Sequence, residues 1–231
     1  KSIAIISVFA LIIIVGAIVP LFVTNKDNKT PKKIFSNKQE IEIKKAENPG
    51  LTLEEYDGGF FTVSLPKGWK IETAGEYVSF GFKAYDPNEP NRQIFYYGRL
   101  EPFMKSEQAK KYFTDPMFRQ APVLNPATAE ELFNQWPKIQ SYSTQMGVTH
   151  TFPKLNNLKV LEKLPYSTPM SGSVVNEGMI RATFTGQNSK ASEGLFASSI
   201  AAPGTYNVFG VDTAPMKAYT TIGISAGKDE F

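Results

Sequence analysis

Cysteine is absent from the 231 residues, and histidine occurs once, at His150. Without cysteine the chain has no disulfide, thiol nucleophile, thiolate metal ligand or cysteine-linked lipid. A single histidine excludes histidine-based metal triads and the HExxH helix. A Ser-His-Asp triad would have to use His150, but no Gly-x-Ser-x-Gly turn accompanies it. Ser171-Gly172-Ser173 reads as a small-residue turn, and His150 as an ordinary loop residue. No glycine loop stands between a strand and a helix, the context that turns backbone N–H groups onto a phosphate. Net positive charge is also confined to one stretch. The net charge is +3, yet residues 26 to 45 hold seven lysines against Asp27, Glu40 and Glu42. The remainder is near neutral and lacks the basic footprint of a nucleic-acid binder.

What the chain does have is a charge-free run of 21 residues from Ile3 to Val23. As a helix rising about 1.5 Å per residue it spans about 30 Å, the hydrocarbon thickness of a bilayer. Ile3, Ile5, Phe9, Leu11, Ile14, Leu21 and Val23 are the expected lipid-facing residues, and the bilayer the expected partner of residues 3–23. A signal peptide cleaved near Val15-Gly16-Ala17 is the competing reading, but the apolar run continues past that point. The positive-inside rule would hold the following lysines in the cytoplasm. An uncleaved signal anchor would instead export everything that follows, and export is the expectation adopted. Residues 1–24 thus form an anchor and 25–50 a lysine-rich stalk, either a solvated tether or one drawn to anionic headgroups. Residues 51–231 form one folded domain with 13% aromatic content in the chain as a whole.

Within that domain, Phe61, Val63 and Leu65 alternate as one face of a strand. Further strands are predicted at 69–72, 79–85, 93–97, 159–164, 179–185, 194–201, 206–211 and 218–225. Ser106 caps a helix over 107–113 that Asp115-Pro116 ends. Thr128 with Glu131 forms a capping box for a second helix, whose buried stripe is Leu132, Phe133 and Trp136 and which Pro137 stops. Strands, then helices, then a strand meander predict an α+β domain: an antiparallel sheet with helices packed on it. Asp229 after Gly227 reads as a helix start, so a further helix is expected beyond Phe231. Without it the sheet is expected to expose an apolar strip.

The run Gly59-Phe60-Phe61-Thr62-Val63-Ser64-Leu65-Pro66-Lys67-Gly68-Trp69 resembles the opening of the PsbP-like fold. That family includes the extrinsic lumenal subunit of photosystem II and many secreted bacterial proteins, and a nuclear-import factor shares its fold. Gln93–Gly98, Met179–Thr185, Glu193–Phe196 and Gly223–Phe231 resemble parts of a group of secreted or anchored firmicute proteins. The resemblance implies an αβα sandwich over about residues 51–231 and carries no catalytic or ligand residue with it. In it, proline ends a strand, glycine permits the turn and the tryptophan at 69 plugs the core.

Candidate sites are few. Asp86 and Glu89 share a loop with Asn88 and Asn91 and supply oxygen ligands for a hard cation such as calcium, although the spacing is not that of an EF-hand. Proline-flanked Asp and Asn are equally what a turn uses. Phe95, Tyr97 and Arg99 form a candidate protein-docking row, since tyrosine and arginine are frequent interface anchors; the alternative is that helices cover them. No cofactor is implied. The expected function is a non-enzymatic, membrane-anchored, extracytoplasmic module that binds or stabilises a protein assembly. Alternatives are a solute- or cation-binding surface protein, and a hydrolase using carboxylates distant in sequence.

Overall fold

A computed structural model describes residues 52–59, 61–145, 152–169, 174, 176–201 and 204–231. The chain divides into two compact units, Lys1–Pro66 and Lys67–Phe231. The anchor residues 3–23 and the stalk lie outside the described residues. Among the described residues no helix is long and apolar enough to cross a membrane.

In the first unit, β1 (Leu53–Asp57) and β2 (Thr62–Pro66) form an antiparallel hairpin, with Leu53 opposite Pro66 and Asp57 opposite Thr62. Val63 and Leu65 are buried and their neighbours Thr62 and Ser64 exposed, the expected period of two. Gly59 turns the chain at φ +84°, and its N–H donates to Asp57 Oδ1 at 2.8 Å.

The second unit is a seven-stranded antiparallel sheet carrying short helices. Its strands are β3 (Lys70–Ala74), β4 (Gly81–Tyr85), β5 (Gln93–Phe103), β6 (Asn156–Leu164), β7 (Asn176–Thr185), β8 (Ala191–Ala201) and β11 (Met216–Gly227). They lie in the order β3-β4-β5-β11-β8-β7-β6. The two-residue strands β9 (Asn207–Val208) and β10 (Val211–Asp212) make a separate hairpin. The helices are α1 (Glu107–Lys110), α2 (Pro116–Gln120), α3 (Ala129–Asn134) and α4 (Trp136–Gln145).

Caps explain most of the helix boundaries. Ser106 Oγ accepts from Ala109 N–H at 3.0 Å, as expected. Asp115-Pro116 does not merely end a helix; Asp115 caps α2, with proline at a position whose N–H would have no partner anyway. Pro137 likewise lies at the start of α4 rather than after the last helix. Only half of the capping box forms. Thr128 Oγ1 accepts from Glu131 N–H at 3.2 Å, but the Glu131 carboxylate accepts from the Gln135 amide at 2.7 Å. The Thr128 N–H that it was expected to satisfy donates to Pro126 O instead.

α3 packs on β6, β7 and β8. Beneath the helical layer Phe95, Tyr97, Phe133, Trp136, Phe196 and Ile200 join one buried cluster. Trp136 is fully buried and its indole N–H donates to Pro153 O at 3.0 Å. Trp69, expected to plug the core, is only partly buried. Gly223 sits opposite both Phe95 and Phe196, whose rings are 6.0 Å apart. A Cβ at Gly223 would come within 2.3 Å of the Phe95 ring and 2.6 Å of the Phe196 ring.

On the opposite face, Ala84, Ile94, Phe82 and Ala197 are buried, and Ile222, Ile224 and Leu195 partly so. Ile222, Ile224 and Leu195 thus form a partly exposed apolar row on that face. Lys228–Glu230 forms a turn where a helix start was expected, and Glu230 reaches Arg92 at 2.8 Å. The edge strand β6 carries Lys159, Glu162 and Lys163 and two register shifts, features that discourage pairing with another chain.

Replacing Gly223 by alanine is expected to destabilise the fold by about 1–3 kcal/mol, because the rings around it have no room to retreat. Chemical denaturation of the purified chain measures this; an unchanged midpoint would contradict the packing described.

Candidate partner-binding end of the sheet

Antiparallel pairing sorts the connections of the second unit into two groups. The β4–β5 and β7–β8 loops and the residues after β11 gather at one end of the sheet. The β3–β4 loop and the β8–β11 connection lie at the other.

The first end is stapled. Asn91, buried, accepts Gln187 N–H on Oδ1 at 2.6 Å and donates from Nδ2 to Gln187 O at 3.2 Å. Asp86 accepts from Asn88 N–H at 2.9 Å and pairs with Arg92 at 3.0 Å, while Glu89 pairs with Lys190 at 2.7 Å. Arg92 also bonds Glu230, which holds its guanidinium still more firmly protonated. The two acids singled out as cation ligands are therefore each met by a basic side chain. Among the described residues no group of three or more metal-ligating side chains forms.

The docking row needs correction. Phe95 and Tyr97 are buried under Trp136 and Phe152, so neither presents a surface. β5 has apolar residues on both faces because it is an interior strand of a covered sheet. Arg99 is partly buried and pairs with Glu101, which Lys217 also contacts at 3.1 Å. His150, Ser171, Gly172 and Ser173 lie outside the described residues.

Side chains suited to recognition stand at the other end. Residues 206–211, expected to form one strand, instead make the β9–β10 hairpin, with Val208 opposite Val211 and Phe209-Gly210 at the tip. Phe209 and Gly210 have φ of +49° and +83°, the two positive values of a type I′ turn. That turn favours Asn-Gly, and a bulky residue in the left-handed region costs about 1–2 kcal/mol. Phe209 is nonetheless 95% exposed, and Tyr206 beside it 69%.

The hairpin is braced from below. Gly210 N–H donates to Asn207 Oδ1 at 2.7 Å, and Thr213 donates from both N–H and Oγ1 to Tyr206 O at 2.8 Å. Asp212 pairs with Lys105 and accepts from Ala214 N–H at 3.0 Å. Lys105 Nζ also donates to Gly204 O at 3.3 Å. Val211 packs against a second, small core of Met104, Ala109, Ala121 and Tyr142. An unfavourable backbone position held this firmly, with its side chain in solvent, points to use rather than to packing. At the same end, the β3–β4 loop presents Tyr77, at φ +50° and 74% exposed, beside exposed Val78.

The remaining polar cluster is closed on itself. Glu177 accepts from Thr168 and from Ser199 at 3.1 Å, and Ser199 meets Thr220 at 3.1 Å across a bulge in β11.

No family model and no curated protein matches this sequence.

Two outcomes follow from the hairpin. Phe209→Asn is expected to raise stability by roughly 1 kcal/mol, since asparagine tolerates the left-handed region, and thermal unfolding reads the shift. The hydrogen bond from Lys105 is the main force holding the Asp212 carboxyl below its usual pKa, aided by the Ala214 N–H. Protonation therefore costs the folded state more than the unfolded one. The bracing is fully present above the usual carboxylate pKa of about 3.9 and is lost as pH falls through the depressed value. An NMR titration of the Ala214 amide should show a midpoint below about 3.9 that rises in Lys105→Gln.

Proposed function

We propose that this chain is a non-enzymatic, membrane-anchored, extracytoplasmic module that docks onto a protein partner through the Phe209 hairpin. Residues 3–23 serve as the bilayer anchor and the stalk carries the folded part outside. The domain is of PsbP-like type, a reading supported by the Gly59–Trp69 opening and by an antiparallel sheet bearing helices.

The observation that carries the proposal is Phe209, exposed at the tip of a braced hairpin in a conformation unfavourable to it. Aromatic anchors that enter a partner's pocket dominate binding energy, and presenting one on a rigid turn spares the entropy of ordering it on contact. A protein pocket fits better than a lipid surface. The connection from Ala202 to Pro215 contains one charged residue, Asp212, and Lys105 pairs with it, so no positive charge draws the tip to anionic headgroups.

A photocrosslinking amino acid at 209 in the full chain, in native membranes, is expected to trap one defined protein. The same group at the exposed Leu161 should trap none. Phe209→Ala should abolish co-purification of that protein in mild detergent. Crosslinking to lipid alone, or equal crosslinking from both positions, would sink the proposal.

A further inference from the structure

A groove of about 560 Å³ opens on the helical side of the second unit, away from the hairpin tip in sequence and distinct in its lining. Its wall includes Gln120, Asn125, Gln135, Ser141 and Gln145, and part of it is the chain from Ala121 to Val123. That stretch is extended where it bridges Met104, in parallel, at Val123. Met104 N–H donates to Pro122 O at 2.9 Å, and Leu124 N–H donates to Met104 O at 3.0 Å.

Those two bonds fix where the next peptide groups point. Successive backbone groups of an extended strand alternate from side to side. Pro122 C=O and Leu124 N–H face Met104, so Val123 N–H and C=O face the other way. Among the described residues neither of those two groups has a partner. Val123 is only partly buried, which leaves its backbone within reach of a ligand. An extended residue paired on one side only can pair with another extended chain on its free side.

The side chains around it match a peptide too. Gln120, Asn125, Gln135 and Gln145 each offer a donor and an acceptor, the same pair that a peptide bond presents. Charge is balanced: Glu107 and Glu131 on one side of the count, Lys110 and Lys138 on the other. Lys110 is already paired with Glu107 at 2.9 Å, and Glu131 is bonded to Gln135. Nothing there favours a phosphate, a strongly acidic peptide or a metal ion.

We infer that this groove binds an uncharged, extended peptide segment, which adds as a strand alongside Ala121–Leu124 with its main chain bonded to Val123. Main-chain bonds supply the affinity in this mode, and the amide side chains read the flanking peptide groups. The inference concerns a surface separate from Phe209, so either can fail without the other.

The test uses the full chain in nanodiscs and terminally blocked, uncharged hexapeptides built from Ser, Thr, Asn, Gln and Val. Saturable binding is expected, with slowed hydrogen exchange at the Val123 amide. N-methylation of alternate peptide amides should weaken binding more than tenfold in one register and little in the other, because only one set faces Val123. Val123→Pro deletes the groove-facing N–H, together with a side chain packed on the small core, and should cost more than tenfold where Val123→Ala, which keeps the N–H, costs little. Ser141→Trp, at an exposed position on the rim, should block entry to a similar extent without touching the core. Crosslinking from position 209 should be unchanged in each variant. No saturable binding at millimolar peptide, binding indifferent to N-methylation in both registers, or an unprotected Val123 amide would each overturn the inference.

Discussion

The sheet is held in register by two phenylalanine rings resting over a glycine. Phe95 on β5 and Phe196 on β8 approach each other across β11, and only the missing side chain of Gly223 lets them do so. Phe133 and Trp136 stack on that pair from the helical side, at ring distances of 5.2 to 5.5 Å. A slip of one residue in any of the three strands would put a side chain under the rings and turn the buried row outward. Register, helix docking and the burial of the only described tryptophan in the core are thus consequences of one contact.

Once the middle of the sheet is fixed in this way, its two ends are free to serve different purposes. One end is closed by Asn91 bridging two loops and by the pairs Asp86–Arg92, Arg92–Glu230 and Glu89–Lys190. Such partly exposed pairs contribute little energy each, but they define where the loops lie. The other end spends its hydrogen bonds on holding up a side chain that touches nothing. Asp212, Lys105 and Thr213 orient the turn, and Phe209 gains no packing from it. The contrast between a satisfied end and an unsatisfied one directs attention to Phe209.

Local signals in the sequence hold where a neighbour a few residues away decides the outcome. Val63 and Leu65 alternate as expected, and Ser106 and Thr128 cap the helices named for them. Proline misled twice, at Pro116 and Pro137, because a residue that ends one helix is also well suited to begin the next. The candidate sites were less legible. Asp86 and Glu89 meet their counter-charges Arg92 and Lys190, and Lys190 is 101 residues beyond Glu89, a neighbour only once β7 and β8 fold back. Phe95 and Tyr97 look like exposed anchors only if the helical layer above them is ignored. Phe209-Gly210 was hidden because Val208 and Val211 extend an apolar run that reads as a strand. A phenylalanine at the first turn position departs from the Asn-Gly signal by which such hairpins are recognised.

The hairpin and the groove share a foundation. Val211 at the base of the hairpin and Val123 at the groove both pack on the small core of Met104, Ala109, Ala121 and Tyr142. The helices around that core, α1 and α2, have four and five residues, far too short to persist without tertiary contacts. This part of the domain therefore rests on fewer apolar side chains than the aromatic layer under α3. Hydrogen bonds make up for the thin packing: Lys105, Asp212 and Thr213 fix the hairpin over that small core. The sheet centred on Gly223 is thus held by aromatic packing, and the corner bearing Phe209 by polar bonds over a small core.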